Sequence, residues 1–146
     1  MLMRILGLDP GEKRIGVAIS DALGITAQPL TSIQRSSLKA DIEAIRQICE
    51  TYQVEHIVLG LPLNLNGSRG EKAAQSAKLA QELKEHLSLE VTLWDERLST
   101  KAVQGVLLEA DTSRRKRKRV VDKLAAAYIL QGYLDRIGGS GTNRSV

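Results

Sequence analysis

Phenylalanine is absent from this 146-residue chain, and the other aromatics are scarce: one Trp and three Tyr. The core must therefore be aliphatic, and the composition argues against recognition by sheets of base-stacking aromatic side chains. The single cysteine, Cys49, excludes an intrachain disulfide and any multi-cysteine metal site. No apolar run approaches the roughly 20 residues that a membrane span needs, and nothing resembles a signal peptide, so we expect no membrane partner and a cytoplasmic location. Interdomain linkers and internal repeats are also missing. About 150 residues is one domain's worth of chain, enough to bury a real core without disulfides or structural metals.

What the chain does have is one concentrated block of positive charge. Arg114, Arg115, Lys116, Arg117, Lys118, Arg119 and Lys123 are accompanied only by Asp122 within residues 114–123. Of the 21 basic and 17 acidic residues, 14 and 16 remain outside this segment, so the rest of the protein is slightly acidic. A field focused in this way suits a polyanion, although a charge run can also be a merely solvated stretch.

Short aliphatic runs at Met3–Asp9 and Ile15–Ser20, separated by Asp9-Pro10-Gly11-Glu12-Lys13-Arg14, read as an antiparallel hairpin, with a third strand over Ala27–Ile33. From Ser37, a candidate N-cap, Leu38, Ile42, Ile45, Cys49 and Tyr52 recur at helical spacing. A buried-type strand follows at His56–Gly60. After a loop, Ser68 and Glu71 stand at capping-box spacing before a helix with Ala73, Ala77, Ala80, Leu83 and Leu87 on one face. A fifth strand spans Val91–Trp94, Ser99 can cap a helix to about Ala110, and a last helix is expected from about Val120 to Ile137, stopped by Gly138 and Gly139. The expected domain is thus 1–137, with 138–146 a disordered tail. Strands that alternate with helices after Ser37 imply parallel pairing beside the antiparallel meander. The fold class is α/β, a mixed five-stranded sheet flanked by helices.

Four acids fall at element ends: Asp9 after the first strand, Asp95 and Glu96 after the fifth, and Asp122 at the start of the last helix. Carboxylates so placed can converge on one sheet edge and hold Mg or Mn, which take hard oxygen ligands. Two such ions would activate a water and stabilise the leaving oxygen in phosphodiester hydrolysis. Each acid also has an ordinary reading: Asp9 as a turn residue, Asp122 as a helix N-terminal anion, Asp95 and Glu96 as loop charges. His56 and His86 lie inside strand and helix patterns and read as packing or surface residues. Ala125-Ala126-Ala127 directly after Asp122 would let a helix approach the sheet closely, or simply favours helix. The loop over residues 60–69 offers Asn64, Asn66, Ser68, Arg69 and helix N–H groups to phosphate, or forms an Asn66-Gly67 turn.

Together, Gly7-Leu8-Asp9-Pro10-Gly11 with Arg14-Ile15-Gly16-Val17-Ala18, Gly60-Leu61-Pro62 with Asn64 and Gly67, Asp95-Glu96-Arg97-Leu98-Ser99-Thr100, and Asp122 with Ala125, Ala126 and Ile129 resemble the motifs of the YqgF (RuvX) family. The match runs in order through most of residues 4–137. The resemblance implies an RNase H-like fold and a nuclease related to Holliday-junction resolvases, acting in maturation of the 5′ end of pre-16S rRNA. It implies a catalytic and metal-holding set of Asp9, Glu96 and Asp122, with Asp95 as a substitute or neighbour, and two Mg or Mn ions. Arg14, Asn64, Arg69, Arg97 and the cations of 114–123 are the candidate nucleic-acid contacts. The expected partner is structured RNA, with branched DNA as the alternative substrate, a ribosomal precursor particle as a further partner, and a monomer or homodimer as the assembly. A ribosome-assembly factor that binds without turnover is a competing reading. An actin-like ATPase is another, although such proteins generally need two domains to close on a nucleotide.

Overall fold

The computed structural model describes residues 4–63, 66–95 and 114–145, and within the last helix the side chains of 122–137. Strands Arg4–Pro10 (β1), Arg14–Ser20 (β2) and Ala27–Gln34 (β3) form the meander. Helix Leu38–Tyr52 (α1), strand Val54–Leu61 (β4), helix Glu71–Leu87 (α2), strand Glu90–Asp95 (β5) and helix Arg114–Ser145 (α3) follow. The five strands form one sheet in the order β3-β2-β1-β4-β5. β1 pairs antiparallel with β2 and parallel with β4, and β4 pairs parallel with β5, so β1, β4 and β5 end on the same sheet edge.

Strand alternation sorts the core into two layers. Leu6, Leu8, Ile15, Val17, Ile57 and Leu59 point to one face and pack with Ile42, Ile45, Leu79 and Leu83 of α1 and α2. Ile5, Ala18 and Val58 point to the other and meet Ala126, Ile129, Leu130 and Leu134 of α3. Apart from Cys49, the buried residues of both layers are aliphatic, as the missing phenylalanines lead one to expect.

α3 lies very close to its face because glycines and alanines meet there. A Cβ at Gly7 would come within 2.7 Å of the Leu130 Cβ, and one at Gly16 would overlap the carbonyl of Asp122. Ala125 and Ala126 are fully buried. The small residues after Asp122 therefore serve close approach. Gln131 fastens the helix to the edge strand, accepting from Ala27 N–H at 2.9 Å and donating to the Ile25 carbonyl at 3.0 Å.

Ser37 caps α1 as its position suggests, its hydroxyl accepting from Ala40 N–H at 3.1 Å. The capping box at Ser68 and Glu71 does not form: Gly70 is the N-cap and makes no side-chain bond. Ser68 is engaged locally, its N–H and hydroxyl donating to Asn66 Oδ1 at 2.9 and 2.6 Å, while Gly67 takes a positive φ of 87°. This Asx-type turn uses the serine before the helix starts. α3 departs from expectation at both ends. It begins at Arg114 rather than near Val120, because Lys and Arg are good helix formers, so the basic run is helical. It also continues through Gly138 and Gly139, whose cost of about 1 kcal/mol each weakens a helix without obliging it to stop. The helix expected over Ser99–Ala110 lies outside the described residues.

Candidate active site

Asp9 sits near the end of β1, directly across from Gly16 of β2. Side chains directly opposite one another project on the same face, here the face covered by α3. Gly16 is also where the Asp122 backbone rests on the sheet. Residues 113 positions apart in the chain are therefore neighbours on one face, joined through a glycine that leaves room for both. Both acids are half-buried.

Asp122 is held by two strands. Arg14 Nε donates to its Oδ2 at 2.7 Å, and Ser32 Oγ donates to the same atom at 3.4 Å. Arg14, Gly16 and Ser32 share the α3 face, since Gly16 and Ser32 are register partners and Arg14 lies two residues before Gly16. Ser32 escaped the sequence reading because nothing local marks a serine in an edge strand as the partner of an acid 90 residues away. The Gly16 contact could have been suspected from its place in the motif.

The turn that delivers Arg14 is braced from outside the site. Gly11 N–H donates to the Arg14 carbonyl at 2.8 Å, Arg35 N–H to the Lys13 carbonyl at 2.9 Å and Arg35 Nη1 to the Gly11 carbonyl at 2.8 Å. Arg35 Nε donates in turn to Asp41 at 3.2 Å, whose carboxylate is buried and also accepts from Ser36 N–H.

Trp94 lies on the α3 face, edge-to-face with Tyr133 at 5.8 Å and beneath the Arg136 guanidinium at 5.9 Å. The next residue, Asp95, ends β5 in register with Leu61. Glu96, Arg97 and Asn64 lie outside the described residues, as do the side chains of 114–119. Arg69 is exposed in the β4–α2 connection, and Lys123 is half-buried beside Asp122. His56 lies edge-to-face with Tyr133 and pairs with Thr92 Oγ1 at 2.8 Å, and His86 bonds within α2, so both are packing or surface groups. Burial above all, and then the Glu50 carboxylate, push the Cys49 thiol up to about 11, which leaves it protonated and unreactive at neutral pH. Among the described residues no group of three His, Cys, Asp or Glu gathers around one point. The two hard oxygen donors present, Asp9 and Asp122, nevertheless fit Mg or Mn, which commonly takes one or two carboxylates and completes its shell with water and substrate phosphate.

Solved structures share this fold. A Thermus thermophilus RuvC in complex with a Holliday junction substrate aligns over 93% of this chain and 96% of its own, with a TM-score of 0.53 at 17% identity. The fowlpox virus resolvase bound to Holliday junction DNA aligns over 92% and 99%, with a TM-score of 0.56 at 14% identity. The fold is therefore RNase H-like. Within it, a family model described as RuvX, Holliday junction resolvase, matches residues 3–136. A protein of Syntrophomonas wolfei named "Putative pre-16S rRNA nuclease" is 55% identical over 138 residues, 94% of this chain and 96% of that protein. The chain belongs to the RuvX family. Among the described residues no helix is long and apolar enough to cross a membrane.

Proposed function

We propose that this nuclease is a divalent-metal-dependent endonuclease acting on structured RNA, with the 5′ end of pre-16S rRNA in the cytoplasm as its substrate. The observation that carries it is the meeting of Asp9 and Asp122 across Gly16, on the sheet face that α3 covers. The name carried by the 55% identical relative supports the choice of substrate.

Asp9 and Asp122 would hold the metal. Glu96, which the family resemblance adds to the set, would be the third ligand. When bound, Mg or Mn would lower the pKa of a water and neutralise charge developing on the scissile phosphate. The protein's own contribution is positional. The Gly16 contact fixes where the Asp122 backbone sits, and the sheet fixes Asp9. The cations at 114–119, within about two helical turns of Asp122 along α3, and the adjacent Lys123 would hold the phosphate backbone beside the acids, with Arg69 and Arg97 as further candidate contacts.

The test is cleavage of a defined pre-16S transcript by purified protein with Mg or Mn. Asp9→Asn, Glu96→Gln and Asp122→Asn should each lower the rate at least about a hundredfold while the circular dichroism spectrum stays unchanged. Asp95→Asn should retain most of it. Full activity in Asp9→Asn would remove the assignment.

Branched DNA is a second reading, favoured by the resolvase description of the family model. Symmetric cleavage of a four-way junction needs two active sites. A chain that is strictly monomeric at working concentration, or that leaves junctions uncut, would reject it.

A further inference from the structure

The sequence alone suggests that Arg14 meets phosphate, yet its guanidinium lies against an acid. The geometry points to Arg14 as a positioning residue for Asp122: with the Ser32 hydroxyl it fixes Oδ2, so that Oδ1 is the atom turned to the metal. This inference rests on the metal role proposed above for Asp122.

Both contacts described for the Asp122 carboxylate converge on one oxygen, Arg14 Nε at 2.7 Å and Ser32 Oγ at 3.4 Å. A carboxylate has about four lone-pair sites over two oxygens, so a grip on one of them orients the other without blocking it. An arginine that competed with the metal would be expected to engage both oxygens in a fork. Arg14 and Asp122 side chains are only 24% and 23% exposed, so the pair is ordered by its surroundings rather than being a loose surface contact.

The support behind Arg14 points the same way. It enters on a turn whose Gly11 and Lys13 carbonyls are both bonded by Arg35, and Arg35 is anchored to the buried Asp41. A ligand-orienting arginine needs a fixed base, since outer partners of metal ligands act by holding their rotamers.

The test is binding of Mn2+ alone to the full chain without nucleic acid, read from the electron paramagnetic resonance signal of the free ion. Arg14→Gln should weaken Mn2+ binding about tenfold or more, the range for loss of an outer partner, and Arg14→Lys should recover part of it. Ser32→Ala should weaken it in the same direction but less, and it is the safer variant if Arg14→Gln folds poorly. Unchanged or tighter Mn2+ binding in Arg14→Gln, with binding lost in Asp122→Asn, would overturn the positioning role and leave the metal site intact. Unchanged binding in Asp122→Asn as well would overturn the metal reading and this inference with it.

Discussion

Gly16 stands where three demands meet: it pairs with Asp9, its α-carbon faces the Asp122 carbonyl, and it lies between Arg14 and the buried Ala18 on one face of β2. Any side chain there would have to displace either the helix or the strand. Gly16→Ala should therefore lose about 1–3 kcal/mol in urea unfolding and, because the acid moves with the helix, most of the nuclease activity. A variant with wild-type stability and rate would show that the close contact is dispensable. His56 makes a separate prediction. Burial holds its pKa below the ordinary 6.5, against a smaller opposing pull from the Glu90 carboxylate. Between that depressed value and 6.5 the unfolded chain binds more protons than the folded one. Stability should consequently fall as pH drops through this window, the loss becoming constant below the folded value. The drop in urea midpoint from about pH 7.5 to about pH 5.5 should be smaller in His56→Gln than in wild type. Equal drops would show that His56 does not contribute.

Helix α3 begins with six consecutive cations, and this arrangement opposes its own dipole, whose positive end lies there. Bound polyanion would relieve that conflict. Replacing Arg114, Arg115, Lys116, Arg117, Lys118 and Arg119 together by Gln should leave thermal stability equal or higher and weaken RNA binding. Six successive positions at about 100° each run around the helix, so only about half can face a polymer on one side. The slope of log affinity against log salt should then become shallower by about 2 units, at about 0.7–0.9 for each phosphate that is no longer neutralised. An unchanged slope would release the basic run from the interface. The strands, the Ser37 cap and the helical stripe of α1 could be read from sequence because each is set by neighbours within a few residues. The Arg14–Asp122 pair spans 108 positions, and the partner of Ser32 is 90 away, so no local pattern announced either. The acids Asp9 and Asp122 were visible as types at element ends, but their meeting was not, since it depends on how α3 crosses the sheet. Misplacing both ends of that helix had the same origin: composition describes tendencies, and packing of its middle decides where the cylinder runs.

For the molecule as a whole, the two faces of the sheet divide the work. The side under α1 and α2 is an aliphatic core, while the side under α3 carries core at one end and the acids at the other. Leu130, fully buried against Gly7, belongs to the structural end. Leu130→Ala should cost about 2–5 kcal/mol, measured by urea unfolding. If α3 is hinged by that packing, activity should fall in parallel with the folded fraction and not beyond it. Metal should in turn stabilise the fold, since it binds only the assembled site: saturating Mn2+ at about a hundred times its dissociation constant adds about 2.7 kcal/mol. The melting temperature should rise with Mn2+ in wild type and stay level in Asp122→Asn. A rise of equal size in both would place the ion elsewhere.

Anomalous diffraction from a crystal soaked in Mn2+ asks directly whether Asp9 and Asp122 share a cation. A manganese peak is expected about 2.1 Å from one carboxylate oxygen of each residue, with Arg14 still on Oδ2 of Asp122. Manganese bound only at other carboxylates, with none between Asp9 and Asp122, would contradict the shared site.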